Sequence, residues 1–218
     1  MPLDVFDYRR DVRNVVITPE IRSRFMRMEP GMVASRHSHD VGHEVFLILE
    51  GHAEFDVDGE RAVLGPGQMC FARADQAHHV RVVGDEPMTL YLSVTPHLEP
   101  THTWWDSTGS KLPPRYGTST RQERATAGAS SPTTGELADR HADAARSLAD
   151  AAQANAAAQA EAVDALKRAV AAGDLERAKA TVDAMWAHVY ELSKGFYAFV
   201  AAWNELAPRA SAGASETR

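Results

Sequence analysis

Short apolar runs separated by glycine, proline and charged residues fill the chain as far as Gly117. Two of them, RSRFMRME and EVFLILEG, have the length of strands. The run AEFDVDGERAVL predicts a hairpin turning at Asp58 and Gly59, because glycine accepts the positive φ of a type I′ turn. The runs GPGQMCFA, HHVRVV and MTLYLSV continue the series at intervals of about ten residues, a spacing typical of all-β sandwiches and barrels. We therefore predict a β-barrel domain over residues 1–117.

The next segment has a different composition. Residues 118–135, TSTRQERATAGASSPTTG, include no large apolar side chain. Such a segment cannot bury enough apolar surface to offset the entropy that it loses on ordering, so we predict a flexible linker. At the other end of the chain, residues 208–218 are predicted to be a disordered tail.

A helical hairpin is predicted for residues 136–207. Thr133 and Glu136 have the spacing of a capping box, and the Ala-rich helix that follows them is expected to end before Gly173. In the second helix, from Leu175 to Leu206, apolar residues recur at alternating spacings of three and four. Such a heptad stripe belongs to a helix that is packed along its whole length.

The apolar stripe of the second helix is wider than one Ala-rich partner helix can cover. Trp186, Tyr190, Tyr197 and Val200 widen it on one flank. Either the chain's own barrel or a second subunit is expected to bury this flank. Of the two we favour a homodimer in which two hairpins form a four-helix bundle.

Charge and composition narrow the classes of partner. The net charge of −7 and the lack of a basic stripe argue against a nucleic-acid partner. The N-terminal residues MPLDVFDYRRD lack the apolar core of a signal peptide, and the longest apolar run, FYAFVAAW, is far shorter than the roughly 20 residues of a spanning helix. No membrane partner is expected. Because Cys70 is the only cysteine, an internal disulfide is impossible and the expected location is cytoplasmic.

Histidines concentrate in the strand-rich part of the chain. The stretch HSHDVGHE begins at His37 and ends at Glu44, and His78 opens a later strand. On an extended strand His37 and His39 point the same way. A carboxylate and a distant imidazole can join them only if the sheet folds back on itself, as a small barrel does. Three imidazoles and one carboxylate suit a divalent ion such as iron(II), manganese, nickel, zinc or copper.

These residues resemble the two sequence motifs of the cupin superfamily. Every defined position of the first motif, G(X)5HXH(X)3–4E(X)6G, is matched, by Gly31, His37, His39, Glu44 and Gly51. The second motif, G(X)5PXG(X)2H(X)3N, is matched at Gly67 and His78, whereas Arg73, Asp75 and Val82 replace its proline, glycine and asparagine. The resemblance covers roughly residues 20–95. It implies a mainly β fold: a cupin β-barrel, or jelly roll, followed here by an α-helical hairpin.

The resemblance also implies a set of site residues. His37, His39, Glu44 and His78 are the expected ligands of one divalent transition-metal ion, with iron(II) the first candidate. The spacing from Gly67 selects His78 over its neighbour His79, which faces the other side of the strand. Glu44 is also a candidate catalytic base. His43 is a candidate catalytic residue, as general base or hydrogen-bond partner of the ligands, or else an exposed loop residue.

The expected pocket wall is apolar, because Phe46, Ile48, Val80 and Val82 share strand faces with the ligands. Such a wall suits a small organic molecule and lacks the basic cluster that a phosphosugar needs. Four aromatic residues follow the last strand as either a lid over the barrel or an extra strand outside it: His97, His102, Trp104 and Trp105.

The resemblance leaves several functions open, since cupins with this ligand set include dioxygenases, lyases, isomerases and decarboxylases. We expect a metal-dependent enzyme of the dioxygenase type, acting on a small molecule. The alternatives are a lyase or isomerase, a binding or sensor module that uses the hairpin for oligomerisation or partner binding, and a structural cupin without a metal.

Overall fold

The computed structural model describes residues 3–125 and 132–212. Among these residues it divides into a strand-rich unit, which comprises residues 3–125 together with 207–212, and a helical unit of residues 132–206. The two units are described separately below.

Within the described ranges, the strand-rich unit contains two antiparallel sheets. One has the strand order β1-β2-β8-β3-β6 and the other the order β5-β4-β7. The strands are β1 (Asn14–Ile17), β2 (Arg22–Met28), β3 (His43–Glu50), β4 (His52–Val57), β5 (Glu60–Leu64), β6 (Met69–Ala72), β7 (His78–Val83) and β8 (Met88–Thr95). The prediction of a mainly β N-terminal half is confirmed.

The core lies between the two sheets. Ile48 of β3 and Leu90 of β8 come from the first sheet, and Phe55 and Val80 from the second; all four are buried. Alternation along each strand sends every second side chain into this core. The rings of Phe46 and Phe55, one from each sheet, lie 5.1 Å apart and join the two faces.

The predicted hairpin turn lies between β4 and β5. Asp58 and Gly59 have φ values of 51° and 90°. Two consecutive positive φ values are the signature of a type I′ turn, whose twist matches that of the flanking strands. The turn therefore forms where the Asp-Gly pair predicts it.

The beginning of the predicted linker is hydrogen-bonded into the strand-rich unit. A short helix, α1 (Arg121–Ala125), lies within it. The amide of Asn14 donates to the Ser119 carbonyl at 2.9 Å and to a Glu123 carboxylate oxygen at 2.7 Å. The hydroxyls of Thr101 and Ser119 lie 2.9 Å apart. These contacts are polar, so a prediction from apolar content did not anticipate them; residues 126–131 of the predicted linker lie outside the described residues.

The helical unit contains α2 (Thr134–Ala171) and all but the last four residues of α3 (Leu175–Ala210), and the two helices form a hairpin. The capping box of Thr133 and Glu136 is present. Between the helices Gly173 has a φ of 69°, a conformation that glycine adopts without steric cost. The last helix continues three residues into the predicted tail, and residues 213–218 lie outside the described part of the chain.

The two helices run antiparallel. The amide of Gln159, late in α2, donates to the carbonyl of Met185, early in α3, at 3.1 Å. Earlier in α2, Leu148 lies against Gly195, where an added Cβ would meet it at 3.7 Å. Among the described residues, no helix combines the length and the apolar character needed to cross a membrane.

The hydrogen bonds of Asn14 and Thr101 predict how truncation of the chain after residue 117 or after residue 125 affects the stability of the strand-rich unit. A chain that ends at residue 125 keeps them, whereas a chain that ends at Gly117 loses Ser119 and Glu123. Because each buried polar group left without a partner costs about 1–3 kcal/mol, we expect the shorter chain to melt at least about 4 °C lower. Thermal unfolding of both chains, followed by tryptophan fluorescence, measures the difference. Equal melting temperatures would show that residues 118–125 contribute nothing to the unit.

Candidate metal centre

Backbone pairing brings the two histidine-bearing segments of the site together. The amide of His37 donates to the carbonyl of His78 at 3.0 Å, and the amide of His78 donates back at 2.7 Å. Directly paired residues project their side chains on the same face. The rings of His37 and His78 accordingly lie 4.5 Å apart, although the two residues come from distant parts of the sequence.

The turn between His39 and Glu44 is held close to β8 by Gly42. A Cβ on this glycine would lie 2.6 Å from a methyl carbon of Val94 and 3.1 Å from the carbonyl oxygen of Pro96. Only the absence of a side chain allows this approach. β3 can then begin at His43, so that Glu44 faces the interior of the barrel and is buried.

Four predicted ligands converge in the strand-rich unit. One ligand atom from each of His37, His39, Glu44 and His78 lies within 4.8 Å of the other three. His39, Glu44 and His78 are buried and His37 is half-buried. The convergence joins a turn, a strand start and a distant strand.

Each imidazole in this group is oriented by a backbone carbonyl. His37 Nδ1 lies 2.9 Å from the carbonyl oxygen of Ser35, and His78 Nδ1 lies 2.8 Å from that of Gln76. His39 Nδ1 is hydrogen-bonded to the carbonyl of Thr101. A carbonyl can only accept, so each Nδ1 carries the hydrogen and the ring's free lone pair belongs to Nε2. Such partners orient most metal-binding histidines.

The Nε2 atoms face the carboxylate of Glu44. Its Oε2 lies 2.8 Å from Nε2 of His39, 3.0 Å from that of His78 and 3.9 Å from that of His37. Lone pairs that face a carboxylate repel it unless a cation or proton lies between them. Two ligands at right angles, each about 2.1 Å from one ion, are about 3.0 Å apart. The donor set and spacing therefore fit a divalent transition-metal ion.

The protonation states of His37 and Glu44 also suit the binding of a cation. Burial, reinforced by the neighbouring His78, lowers the pKa of His37 to about 4, so its imidazole is neutral near neutral pH. Burial alone would raise the pKa of Glu44, but positive charge at His39 and His78 outweighs it and holds that pKa well below its usual range. A cation between the carboxylate and these rings would act in the same direction. Neutral imidazole and ionised carboxylate are the forms that bind metals.

A cavity of about 100 Å³ lies beside these residues. Phe46 and Val80 of the predicted wall line it, while Ile48 and Val82 are buried in the core. The rest of the lining includes two arginines that the expectation of an apolar wall did not include, Arg22 and Arg24. The sequence contained a signal for this position. In RSRFMRM, Arg22 and Arg24 alternate on the same strand face as Met28, which is a core residue, so the two arginines also face inward.

His43 lies apart from the group of four. It is exposed and precedes Glu44 on β3, so its side chain points to the opposite face of the strand. Its Nδ1 accepts a hydrogen bond from the Ala74 amide at 3.0 Å. The catalytic role suggested for His43 from the sequence stays a prediction.

The segment after β8 lies against the site. The backbones of Ser38 and Thr103 are paired by two hydrogen bonds of 2.7 and 3.0 Å, which makes residues near 103 an extra strand segment. The ring of His102 lies 4.6 Å from that of His37, and the ring of Trp104 lies 5.3 Å from it. Burial and the nearby His37 lower the pKa of His102 well below its usual range.

The two other aromatic residues of this segment take separate positions. The indole of Trp105 donates to the Ser38 hydroxyl at 3.1 Å, on the same backbone pairing. His97 is buried, and burial together with Arg22 lowers its pKa to about 4. The segment thus combines the two alternatives considered from the sequence: it adds a strand segment and also contributes His102 to the cavity.

Comparison with known proteins finds relatives that are similar to part of the chain. A polyketide synthase named CurC, from Streptomyces cyaneus, is 35% identical over 69 residues, which cover 32% of this chain and 45% of that protein. The match thus spans less than half of the relative's length.

Two solved structures align with a similar share of the chain. An uncharacterized conserved protein with a double-stranded beta-helix domain from Klebsiella pneumoniae is 23% identical, with a TM-score of 0.42 over 44% of this chain and 91% of that one. The TT1209 protein of Thermus thermophilus is 26% identical, with a TM-score of 0.41 over 43% and 98%.

The family model described as a cupin domain matches residues 24–95. This range holds all four converging ligands, His37, His39, Glu44 and His78, and most of the two sheets that position them. Over residues 24–95 the strand-rich part of the chain is therefore a cupin domain, and this domain belongs to the cupin superfamily.

Proposed function

We propose that the chain is a mononuclear metal-dependent enzyme that acts on a small organic molecule. The observation that carries this proposal is the convergence of imidazole Nε2 atoms on the buried carboxylate of Glu44, with each Nδ1 already occupied by a carbonyl. This arrangement leaves the lone pairs of several donor atoms directed at one point. A bound cation would satisfy all of them together.

His37, His39, Glu44 and His78 would hold the ion. Three imidazoles and one carboxylate suit iron(II) first, and manganese, nickel, zinc or copper also accept these donors. Such an ion, when bound, would supply activation of O₂ or polarisation of a substrate oxygen. A dioxygenase-type oxidoreductase is the reaction class we favour.

The surrounding side chains support a reaction that excludes bulk water. Phe46, Val80 and Leu92 form an apolar part of the cavity wall, beside the face on which Glu44 lies. Glu44 is the one carboxylate among the residues that line the cavity. We propose that its Oε2 also accepts a proton from the substrate during turnover.

One comparison favours a second candidate. The relative named polyketide synthase CurC is similar over 69 residues of the chain. Polyketide chains are rich in ketones, and a metal site can polarise a ketone without any oxidation. The second candidate is therefore a non-oxidative reaction on a ketone-bearing substrate.

The metal assignment predicts the effect of removing a ligand. In His39→Ala or His78→Ala, we expect metal affinity to fall by more than the about 10- to 100-fold that loss of an outer hydrogen-bond partner causes. His79→Ala is the matched control, because His79 neighbours His78 on β7 and lines the same cavity but does not belong to the four converging ligands. Elemental analysis after dialysis measures the metal content of each variant. Full occupancy in both ligand variants would refute the assignment.

The dioxygenase proposal predicts that turnover requires O₂. The iron(II)-loaded protein is incubated with a panel of small ketones and carboxylic acids, and both O₂ uptake and product formation are followed. We expect product only in the aerobic samples. Equal product formation without O₂ would contradict the oxygenase and support the non-oxidative candidate, whereas ligand binding without any product would support a binding module.

We also propose a homodimer formed through the helical unit. Trp186 and Tyr190 are 60% and 51% exposed on the chain, and Val182 nearby is 49% exposed, which forms an apolar surface along α3. Large exposed apolar surfaces mark interaction sites, and two-fold pairing is the commonest form of assembly. Val200 of the flank predicted from the sequence is buried within the chain and contributes nothing to this surface.

The dimer proposal predicts a mass of twice 23.8 kDa in solution. Light scattering on the full chain at tens of micromolar measures it. Replacing Trp186 and Tyr190 together by serine should give a monomer, because burial of each is worth roughly 1.5–3 kcal/mol. Lys179→Ser, at an exposed charged position of the same helix, is the control. A monomeric wild-type chain would exclude the proposal.

A further inference from the structure

Arg22 and Arg24 line the cavity from β2, which is separated from β3 by one strand, β8, in the same sheet. In the register of β2, β8 and β3, Arg22 pairs with Val94, and Val94 pairs with Glu44. All three lie in one row across the sheet, and Arg24 begins the next row. Strands are spaced about 4.8 Å apart, so the backbones of Arg22 and Glu44 are roughly 10 Å apart. Residues of one row project on the same face of the sheet, and both arginines line the cavity together with Glu44.

Both side chains hold hydrogen-bond donors that no described residue satisfies. Arg22 is only 1% exposed, and its Nη1 donates to the Asn14 side-chain carbonyl at 3.3 Å. Its Nε is buried and lacks a partner, and the Nε of Arg24 is in the same situation. A guanidinium stays charged inside a protein, and a buried donor without a partner is costly. An acceptor supplied by a ligand would satisfy these donors.

The charges around the cavity leave an excess of positive charge once an ion is bound. A divalent cation with three neutral imidazoles and Glu44 carries a net charge of one, and the two arginines add two more. Glu99 and Glu123 attract the guanidinium of Arg22, and Glu123 attracts that of Arg24 as well. These two carboxylates offset part of the arginine charge, so with an ion bound the site keeps an excess of positive charge for a ligand to balance.

We propose that the cavity selects a small carboxylate, which Arg22 and Arg24 hold while another substrate oxygen faces the metal ligands. This rests on the proposed metal-dependent function. A planar carboxylate matches the fork of a guanidinium, and its negative charge opposes the excess positive charge. The cavity of about 100 Å³ is small, which favours a small acid or the acid end of a longer molecule.

Pyruvate and its neutral analogue pyruvamide test the proposal by calorimetric titration of the full-length protein. Pyruvate supplies a carboxylate beside a ketone oxygen. We expect pyruvate to bind the metal-loaded protein and pyruvamide to bind at least about tenfold more weakly, because hydrogen bonds to charged groups are worth that much. Arg24→Met and Arg22→Met should each weaken pyruvate binding by a similar factor.

Arg27→Met is the matched control. Arg27 lies on the same strand, points to the other face and pairs with Glu29 at the surface, so this variant should bind pyruvate like the wild type. Arg24 is only partly buried, so Arg24→Met keeps the test valid if the fully buried Arg22 proves necessary for folding. Circular dichroism checks the fold of each variant.

Metal content and anion binding are read on the same samples, so the two proposals can fail separately. A protein without metal that binds pyruvate through Arg22 and Arg24 contradicts the metal proposal and supports the carboxylate site. For the metal-loaded protein, any of four results would overturn the proposed carboxylate site. These results are no binding of pyruvate at millimolar concentration, equal affinity for pyruvate and pyruvamide, wild-type affinity for pyruvate in Arg24→Met, and higher affinity for inorganic phosphate than for pyruvate.

Discussion

The structure depends on one electrostatic constraint: three imidazole Nε2 atoms are directed at the buried carboxylate of Glu44. Backbone carbonyls fix the opposite nitrogen of each ring, so the rings cannot rotate to relieve the repulsion without losing hydrogen bonds. Burial keeps His37 neutral, and Glu44 stays ionised where positive charge, from protons on the neighbouring rings or from a cation, lies beside it. The barrel thus maintains an arrangement that is unfavourable when empty and favourable around a cation.

Barrel closure creates this arrangement. Paired backbones place His37 against His78, the side-chain-free position at Gly42 lets the chain turn tightly into β3, and the segment after β8 returns to supply the carbonyl of Thr101 to His39. The same closure sets β2 across from the ligands, which brings Arg22 to the cavity. We therefore assign metal binding to the turn before β3, to β3 and to β7, and carboxylate binding to β2.

The sequence predicts the strands and the four ligands because both have local signatures: alternation along a strand, and the fixed spacing between His37, His39 and Glu44. It does not predict the hydrogen bonds of Asn14 to residues 119 and 123, since polar contacts between distant segments leave no periodic trace. Arg22 and Arg24 were missed for another reason. Charged residues usually face water, so an alternating run of arginines reads as a solvent-facing side of a strand. Only the core position of Met28 reveals the inward face.

The central claim is that three imidazoles and one carboxylate bind a single ion, and X-ray absorption spectroscopy at the metal edge tests it most directly. For the iron(II)-loaded protein the account predicts nitrogen and oxygen scatterers at about 2.0–2.2 Å, with the outer-shell scattering of three imidazole rings. In His78→Ala the imidazole scattering should fall to that of two rings. A spectrum without imidazole scattering, or one that His78→Ala leaves unchanged, would contradict the account.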